Sequence, residues 1–313
     1  MTILTLNLGS SSLKIAAYRG DSPEALAVVY AETLTPSRDA DETLRQVLVR
    51  AGDDISAVGH RMVFGGARHD APAPADAAIL HDLEQLVEIE PLHLRAELDL
   101  VYATMRALPG VANVLCFDTA FHRRSPAIAH RLPLPPDLDP MLERYGFHGL
   151  SYEYIVSKLP PNAGRTVIAH LGSGASLCAV RDGRPVDTTM GFTALGGLMM
   201  GTRPGDLDPG VLLRLLGHDG YSAELLSDLL YHGSGLFGVS GTSADVRALL
   251  AQSPSNPRAR DAIELFMYQL VKHVGAMVAV LGGLDVLVFT GGIGEHQSLI
   301  RERIVAALAY AGT

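Results

Sequence analysis

The chain has 313 residues, 48% of which are hydrophobic, and it carries a formal net charge of −9 at pH 7. This length is sufficient to bury the cores of two domains. Because acidic residues exceed basic ones and no basic cluster occurs, the composition predicts neither a nucleic-acid partner nor attachment to an anionic membrane surface.

Sequence features also indicate where the protein functions. No basic segment precedes the first apolar run, as a signal peptide would require. The longest apolar span, residues 274–284, is too short to cross a bilayer. The two cysteines, Cys116 and Cys178, lie in apolar runs without metal-binding spacing. We therefore predict a cytoplasmic protein in which both thiols are buried and reduced.

The first eighteen residues predict a β-hairpin, because two short apolar runs flank a Gly/Ser turn. The turn offers backbone N–H groups and the hydroxyls of Ser10 and Ser12, with the amide of Asn7 before it and the ammonium of Lys14 behind it. These groups suit a phosphate chain. An ordinary polar turn explains the stretch equally well.

A second copy of this stretch occurs at residues 170–183. When it is aligned without gaps to residues 7–20, the coinciding positions are Leu8/Leu171, Gly9/Gly172, Ser10/Ser173, Ala16/Ala179 and Gly20/Gly183. An apolar run precedes each copy. A repeat at this distance indicates a duplicated domain, and two such turns can hold the phosphates of one nucleotide from both sides.

Helical and strand patterns alternate in the first third of the chain. Residues 40–51 have helical spacing and Gly52 can end that helix, while residues 80–108 are helical with a short interruption. The strand 60–64 ends at paired glycines and contains Arg61. A guanidinium in so apolar a run indicates either contact with an anion or an internal ion pair.

Two further polar residues occupy positions that are typical of functional sites. The core strand 111–117 ends at Asp118, where α/β folds place catalytic groups, although an aspartate there also suits a helix N-cap. A proline-rich loop or linker follows at residues 126–140. Next, His148 stands among glycines that leave its ring accessible to a ligand. A lone histidine is more often a structural residue.

The second half of the chain contains three glycine-rich segments. Residues 188–205 lack a regular period, which predicts a site-lining loop with Arg203 as its only charge. Residues 233–238 match GxGxxG but follow a helical run instead of a strand, so we reject a dinucleotide site there. The strand 286–290 leads through glycines 291–294 into a helix, which predicts a third cradle for an anion or nucleotide.

Long helical patterns complete this half, at residues 257–281 and about 299–310. The twelve histidines lack metal-ligand spacing, and neither a GxSxG elbow nor a P-loop occurs. The sequence therefore does not predict serine hydrolase, histidine-metal or P-loop chemistry.

Eight short motifs resemble, in order, those of the acetate kinase family, within the sugar-kinase, heat-shock-ATPase and actin superfamily. They are NLGSSSLK (7–14), GHRMVFGG (59–66), FDTAFH (117–122), YGFHG (145–149), HLGSGAS (170–176), MGTRPG (200–205), GVSGTS (238–243) and FTGGIGE (289–295). The resemblance implies an α/β protein with a duplicated actin-like, ribonuclease H-like two-domain fold and a nucleotide cleft between the domains. The domains would be residues 1–119 and 120–313.

The activity that this resemblance implies is the reversible transfer of the ATP γ-phosphoryl group to acetate or propionate, giving an acyl phosphate and ADP. Asn7 would lie near the transferring group and its Mg²⁺ shell. Arg61 and Arg203 would clamp carboxylate and phosphoryl oxygens. His148 would donate to the equatorial oxygens of the transition state, and Asp118 would orient an arginine or the magnesium shell. A carboxylate is ionised at neutral pH, so no strong general base is needed.

The resemblance also implies binding residues, cofactors and partners. Nucleotide and phosphate contacts would come from Ser10, Ser12, Lys14, His170, Gly172, Gly174, Gly201, Gly292 and Gly294. The acyl pocket would be formed by Val63, Leu92, Phe147 and Ala194. The implied cofactors are ATP/ADP and Mg²⁺, and the implied partners are a short-chain carboxylate and a second copy of the chain in a homodimer.

Several positions depart from the pattern of the family. The family usually has His, His and Asn where Phe64, Tyr152 and Ser173 stand, and an Asn-Pro sequence in place of residues 94–95. In the acyl pocket, Ala194 replaces a proline and Gly196 replaces a glutamate. The smaller side chains predict that propionate rivals acetate as substrate.

The family also continues beyond the position of residue 313, with a segment that carries a magnesium-associated glutamate and a terminal helix. Weak binding of magnesium and nucleotide is therefore expected of the chain as it stands. The alternative function is that of a nucleotide-binding family member with little kinase activity, which acts as a sensor or scaffold.

Overall fold

The computed structural model describes residues 1–9, 12–22, 25–37, 39–52, 54–90, 93–135 and 137–309. The chain divides into two compact units, Met1–Arg123 and Arg124–Thr313, named unit 1 and unit 2 below. The assignment of residues 1–119 and 120–313 to two ATPase domains stays a prediction.

Unit 1 contains a six-stranded sheet. Its strands are β1 (Thr2–Leu8), β2 (Leu13–Arg19), β3 (Ala27–Leu34), β4 (Ala57–Met62), β5 (Ala73–Pro74) and β6 (Ala112–Phe117), in the order β3-β2-β1-β4-β6-β5. β1 and β2 pair antiparallel from Thr2–Arg19 to Leu8–Leu13, which confirms the predicted hairpin. β1, β4 and β6 run parallel, so their carboxyl ends meet at one edge of the sheet.

Within the described residues, three α-helices accompany this sheet: α1 (Ala40–Ala51), α2 (Ala77–Gln85) and α3 (Leu94–Ala107). α1 begins and ends as the sequence predicts. Asp39 accepts from the N–H groups of Asp41 and Glu42, and Gly52 ends the helix with φ 83°. The buried face of α1 packs with side chains of β1, β2 and α3 in one apolar cluster, which forms the core of unit 1.

Unit 2 contains a four-stranded sheet of β7 (Arg165–Leu171), β8 (Ala175–Arg181), β9 (Arg184–Thr188) and β10 (Val286–Thr290), in the order β10-β7-β8-β9. β7, β8 and β9 are antiparallel, and β10 is parallel to β7. Strands β9-β8-β7-β10 therefore repeat the arrangement of β3-β2-β1-β4. The duplicated α/β fold predicted from the sequence repeat is thus present as a repeated strand order.

The helices of unit 2 are α4 (Gly149–Lys158), α5 (Pro209–His218), α6 (Ala223–His232), α7 (Gly235–Ser240), α8 (Val246–Gln252), α9 (Pro257–Leu281), α10 (Gly291–His296) and α11 (Ser298–Ala307). The GxGxxG segment follows α6 and opens α7, so the predicted helical run before it is confirmed, and a dinucleotide fingerprint would need a strand in that place.

α9 is the central helix of unit 2. In the described part of the chain it is the one helix that is long and apolar enough to cross a membrane, and one such helix is weak evidence for a membrane span. Its buried side chains, which include Ile263, Phe266 and Leu270, pack against β7, β8 and β9. This is the position of a core helix.

Two predictions about local structure are wrong in part. Residues 126–140 are not all loop, because Ala127–His130 forms one 3₁₀ turn after Pro126. Cys178 is buried as predicted, but Cys116 is only half-buried. The alternation of β6 places Leu115 and Phe117 in the core, so Cys116 points to the opposite face of the sheet.

Candidate active site

The carboxyl ends of β1, β4 and β6 bring three predicted catalytic residues, Asn7, Arg61 and Asp118, to one edge of the unit 1 sheet. Arg61 lies on β4, in register with Cys116 of β6. Asp118 directly follows β6, and its N–H donates to the carbonyl of Met62 at 2.9 Å. The Nη1 atom of Arg61 reaches the carbonyl of Leu8, next to Asn7, at 3.2 Å. This edge is where open α/β sheets place functional groups.

Arg61 and Asp118 form a buried ion pair. Nε and Nη2 of Arg61 both donate to Oδ2 of Asp118, at 3.1 and 2.6 Å. Of the two interpretations of Asp118, its position at this strand end and its bond to Arg61 favour an orienting carboxylate over a helix cap. The internal ion pair of Arg61 is also present, yet 19% of the arginine side chain stays exposed. An anion can therefore still reach the guanidinium.

Glu97 on α3 is a third member of this cluster, and the sequence reasoning missed it. Its Oε1 accepts from Nη1 of Arg61 at 2.9 Å, and its Oε2 accepts from the N–H of Val63 at 2.8 Å. Burial raises the pKa of Glu97 to about 7, although Arg61 acts in the opposite direction. The available signal was an acid on the apolar face of a helix, beside Leu94 and Leu98.

Asp118 and Glu97 stabilise the charged form of the Arg61 guanidinium. Burial alone would lower its pKa, but Asp118 and Glu97 outweigh burial and raise it. Arg61 is therefore a permanent cation that two carboxylates hold in place.

The hairpin turn of unit 1 carries the predicted phosphate ligands. The N–H of Gly9 donates to the carbonyl of Ser12 at 2.7 Å and closes the turn. Asn7 and Lys14 are paired across the hairpin, are both exposed, and border one depression in the sheet surface. The predicted ligand Ser10 lies outside the described residues.

In unit 2, His148 has an unusual backbone conformation. It precedes α4 with φ 61° and ψ 20°, a left-handed conformation that is uncommon for residues other than glycine. Its ring stacks on His170 with centroids 4.4 Å apart, and Nδ1 lies 2.8 Å from Oγ of Ser176. Ser176 also bonds the hydroxyl of Tyr152. Such strain is typical of residues that are held for function.

The predicted second phosphate loop lies directly beside His148. The N–H of Gly172 donates to the carbonyl of Gly174 at 3.0 Å, and the N–H of Gly201 donates to that of Ser173 at 3.0 Å. A Cβ atom on Gly174 would lie 2.9 Å from Nη2 of Arg203 and 3.5 Å from Nε2 of His148. The structure therefore brings His148, His170, Arg203 and three predicted phosphate-binding glycines together.

Arg203 is held by its own loop. Its Nη1 donates to the carbonyl of Ala194 at 2.8 Å. Further along, Oδ1 of Asp206 accepts from the N–H of Gly197 at 2.7 Å, and Oδ2 lies 3.2 Å from Nε2 of His273 on α9. The segment that was predicted to line a site is thus irregular, as expected, and is fastened to the core helix.

The glycines that follow β10 lie at the end of the unit 2 sheet where β7 also ends. A Cβ on Gly291 would lie 2.6 Å from the carbonyl oxygen of Leu171, the last residue of β7. Gly294 packs near Phe289, whereas a Cβ on Gly292 would meet nothing within 4 Å. Gly292 thus has room for a ligand, and its role in nucleotide binding stays a prediction.

The four predicted pocket residues are divided between the units. Val63 is buried in unit 1, and Phe147 and Ala194 are buried in unit 2. Leu92 lies outside the described residues. The acyl pocket therefore stays a prediction.

The proximity of Gly174 to two catalytic candidates makes a direct test possible. We expect Gly174→Ala to lower kcat by about ten- to a hundredfold, because displacing catalytic groups by about an ångström is costly. The fold should survive, since the nearest atom is the flexible end of Arg203. Gly217→Ala, where a Cβ meets nothing within 4 Å, is the control and should leave kcat unchanged. Equal kcat values in both variants would contradict this geometry.

Solved structures share this fold over almost the whole chain. An acetate kinase from Porphyromonas gingivalis is 34% identical with a TM-score of 0.88, and the match covers 99% of this chain and 88% of that one. A propionate kinase from Francisella tularensis is 32% identical with a TM-score of 0.87 and the same coverage. A Listeria monocytogenes protein described as a putative N-acetylmannosamine kinase, 12% identical with a TM-score of 0.51, shares the fold alone. The chain is thus a member of the actin-like and sugar-kinase fold class.

Sequence comparison identifies the family. The chain belongs to the acetokinase family, whose model matches residues 38–313. It is 43% identical to the acetate kinase of Rhodopseudomonas palustris strain TIE-1, across 99% of this chain and 87% of that protein. It is 40% identical to the acetate kinase of Methylocella silvestris, with the same coverage.

Proposed function

We propose that the chain transfers the γ-phosphoryl group of ATP to acetate or propionate, reversibly, and produces an acyl phosphate and ADP. The single observation that carries this proposal is the convergence of His148 and Arg203 on Gly174, in a turn suited to phosphate. Membership of the acetokinase family supports it. The Arg61–Asp118 pair of unit 1 supplies a second oriented cation.

The chemistry requires alignment and charge neutralisation more than acid–base catalysis. A carboxylate oxygen of the substrate attacks the γ-phosphorus, and the bond from phosphorus to the bridging oxygen breaks, leaving its electrons on ADP. The substrate is already ionised near pH 7, so no residue has to remove a proton. Arg61 and Arg203 neutralise the oxygens, because each guanidinium presents a planar fork of donors.

His148 is suited to donate a hydrogen bond in the transition state. If Tyr152 donates to Ser176 and Ser176 donates to Nδ1 of His148, the ring proton lies on Nε2, the atom that faces Gly174. A fixed donor aimed at developing charge costs no reorganisation during the reaction.

Magnesium is part of this proposal, with Asn7 as the protein group near its shell. The described residues contain no group of three or more His, Cys, Asp and Glu side chains that could hold a metal. Mg²⁺ is commonly bound by few protein oxygens together with substrate phosphates and water. When bound, the ion would neutralise phosphate charge. Asn7, exposed at the end of β1, offers an amide oxygen of the right type.

The proposal includes a homodimer, by analogy with the family, and a location in the cytoplasm, as the sequence features predict. Sedimentation velocity on the purified chain tests the dimer, and a monomer at micromolar concentration would contradict it.

A coupled assay with ATP, Mg²⁺ and acetate tests the activity. We expect ADP and acetyl phosphate to form in equal amounts. If the chain binds ATP but turns over neither acetate nor propionate, kinase activity is rejected and the nucleotide-binding sensor or scaffold is favoured.

Substrate preference gives a sharper expectation. Because Ala194 stands where the family has a larger proline, the predicted pocket should accept one additional methylene. Burying it contributes roughly 0.8 kcal/mol, about a fourfold gain in binding. We expect kcat/KM for propionate to be similar to that for acetate. We expect kcat/KM for butyrate to be lower, because Phe147 limits the length of the predicted pocket.

Two variants test this expectation. Ala194→Pro should restore a preference for acetate, and Ala194→Val should do the same without removing a backbone N–H. The alternative is that Phe64, which is fully buried, refills the space. A strong acetate preference in the natural chain that neither variant changes would contradict the pocket argument.

A further inference from the structure

The donors of Arg61 are almost fully used within unit 1. A guanidinium has five N–H groups, and four of them donate to described residues. Nε and Nη2 bond Asp118, and Nη1 bonds both Glu97 and the carbonyl of Leu8. A fork that holds a carboxylate or phosphoryl group by two bonds needs two N–H groups. At least one existing bond must therefore be released when an anion binds Arg61.

Of the two carboxylates that hold Arg61, Glu97 is the one that can release it at lower cost. Its second oxygen accepts a hydrogen bond from the N–H of Val63 at 2.8 Å. The carboxyl group therefore still has a hydrogen-bond partner after it releases Arg61. Only 1% of the Glu97 side chain is exposed, against 19% for Arg61. An arriving anion therefore meets the guanidinium and not the carboxyl group. Asp118, in contrast, holds two N–H groups through one oxygen.

We propose that Glu97 is a positioning residue that competes with the substrate anion for Arg61, and that Glu97 takes a proton from the solvent when the anion displaces it. Before binding, the ionised carboxylate keeps Arg61 in place. After binding, the neutral carboxyl group leaves no uncompensated buried charge. This inference rests on the proposed function, because there Arg61 is a clamp for carboxylate or phosphoryl oxygens.

The surroundings of Glu97 set the pH at which this exchange operates. Burial acts most strongly on the carboxyl group and raises its pKa to about 7. Arg61 of β4, the N–H of Val63 and His93 before α3 favour the ionised form, while Asp118 after β6 disfavours it. Below this pKa Glu97 is neutral and Arg61 is available. Above it Glu97 is ionised, so anion affinity should fall as pH rises.

Calorimetric titration with acetyl phosphate tests the proposal on the unmodified chain. Between pH 7 and 9 we expect the Kd to rise by up to about tenfold per pH unit, the limit for uptake of one proton. Repeating the titration at pH 8 in buffers of different ionisation enthalpy should show uptake approaching one proton. A Kd that is independent of pH, or uptake of no protons, overturns the proposal.

Glu97→Gln provides the matched variant, because it keeps the shape of the side chain and removes the charge. We expect its Kd to be flat between pH 7 and 9 and its kcat to change less than the Kd does. Glu97→Asp should restore a pH-dependent Kd. Asp99→Asn, an exposed acid on the same helix, is the control and should follow the unmodified chain. A Glu97→Gln profile that matches the unmodified chain overturns the proposal.

Failure of the proposed function has a different signature. Absence of turnover in the unmodified chain at every pH would reject kinase activity. The titrations would then still decide whether Glu97 and an anion compete for Arg61.

Discussion

Replacing Arg203 by alanine should lower kcat by about a hundredfold or more, because the lost cation stabilises charge in the transition state. Nη2 of Arg203 lies beside Gly174 in the phosphate-type turn, and Nη1 is fixed by the carbonyl of Ala194. Since the arginine is already oriented before substrate binds, its contribution requires little reorganisation. Steady-state kinetics with ATP and acetate measure the effect.

Two further variants define what is lost. Arg203→Lys should recover only part of the activity, because an ammonium lacks the planar fork. Arg184→Ala removes an exposed arginine of the same unit and should leave kcat unchanged. If Arg203→Ala also kept its kcat, Arg203 would not belong to the active site.

Replacing Arg61 by alanine should destabilise the protein by about 3–5 kcal/mol, the cost of leaving a buried charge without its partner. Two carboxylates are affected, since Asp118 and Glu97 are 7% and 1% exposed. Urea unfolding of the whole chain measures the change in the free energy of unfolding. The loss should be smaller at pH 5.5 than at pH 8, because at the lower pH Glu97 becomes neutral by taking up a proton.

Arg68→Ala is the matched control for this stability effect. Arg68 pairs with Asp82 at 3.2 Å, but 79% of its side chain is exposed. Such surface pairs contribute about 0–1 kcal/mol. Similar losses for Arg61→Ala and Arg68→Ala would contradict the buried network.

Elements whose ends carry local signals were predictable from the sequence. Asn256 and Pro257 begin α9, and Gly282 ends it in the left-handed conformation, so its bounds match the prediction. The hairpins were predictable for the same reason, because their glycine and serine turns are local. Strand neighbours were not: β10 lies beside β7 although some 120 residues separate them.

The candidate site was predictable where an unusual residue stood in an apolar or glycine-rich context. Arg61, His148 and Arg203 were predicted to be site residues on this basis, and each lies in a cluster within its own unit. Glu97 was not found, because an acid on a helix is usually solvated and only the neighbouring strand reveals its burial. The left-handed backbone of His148 was also hidden, since it depends on how the chain enters α4.

The repeated strand order has a consequence for the order of folding. All strands of the first sheet come from residues 2–117, so that ladder can be completed while the rest of the chain is still being synthesised. The second sheet cannot be completed in this way. β7 is synthesised more than a hundred residues before its parallel neighbour β10, which follows only after α9. Until then the apolar strand β7 presents an open edge to other chains. Synthesis of residues 189–285 is therefore the period in which we expect nascent chains to be most prone to aggregation.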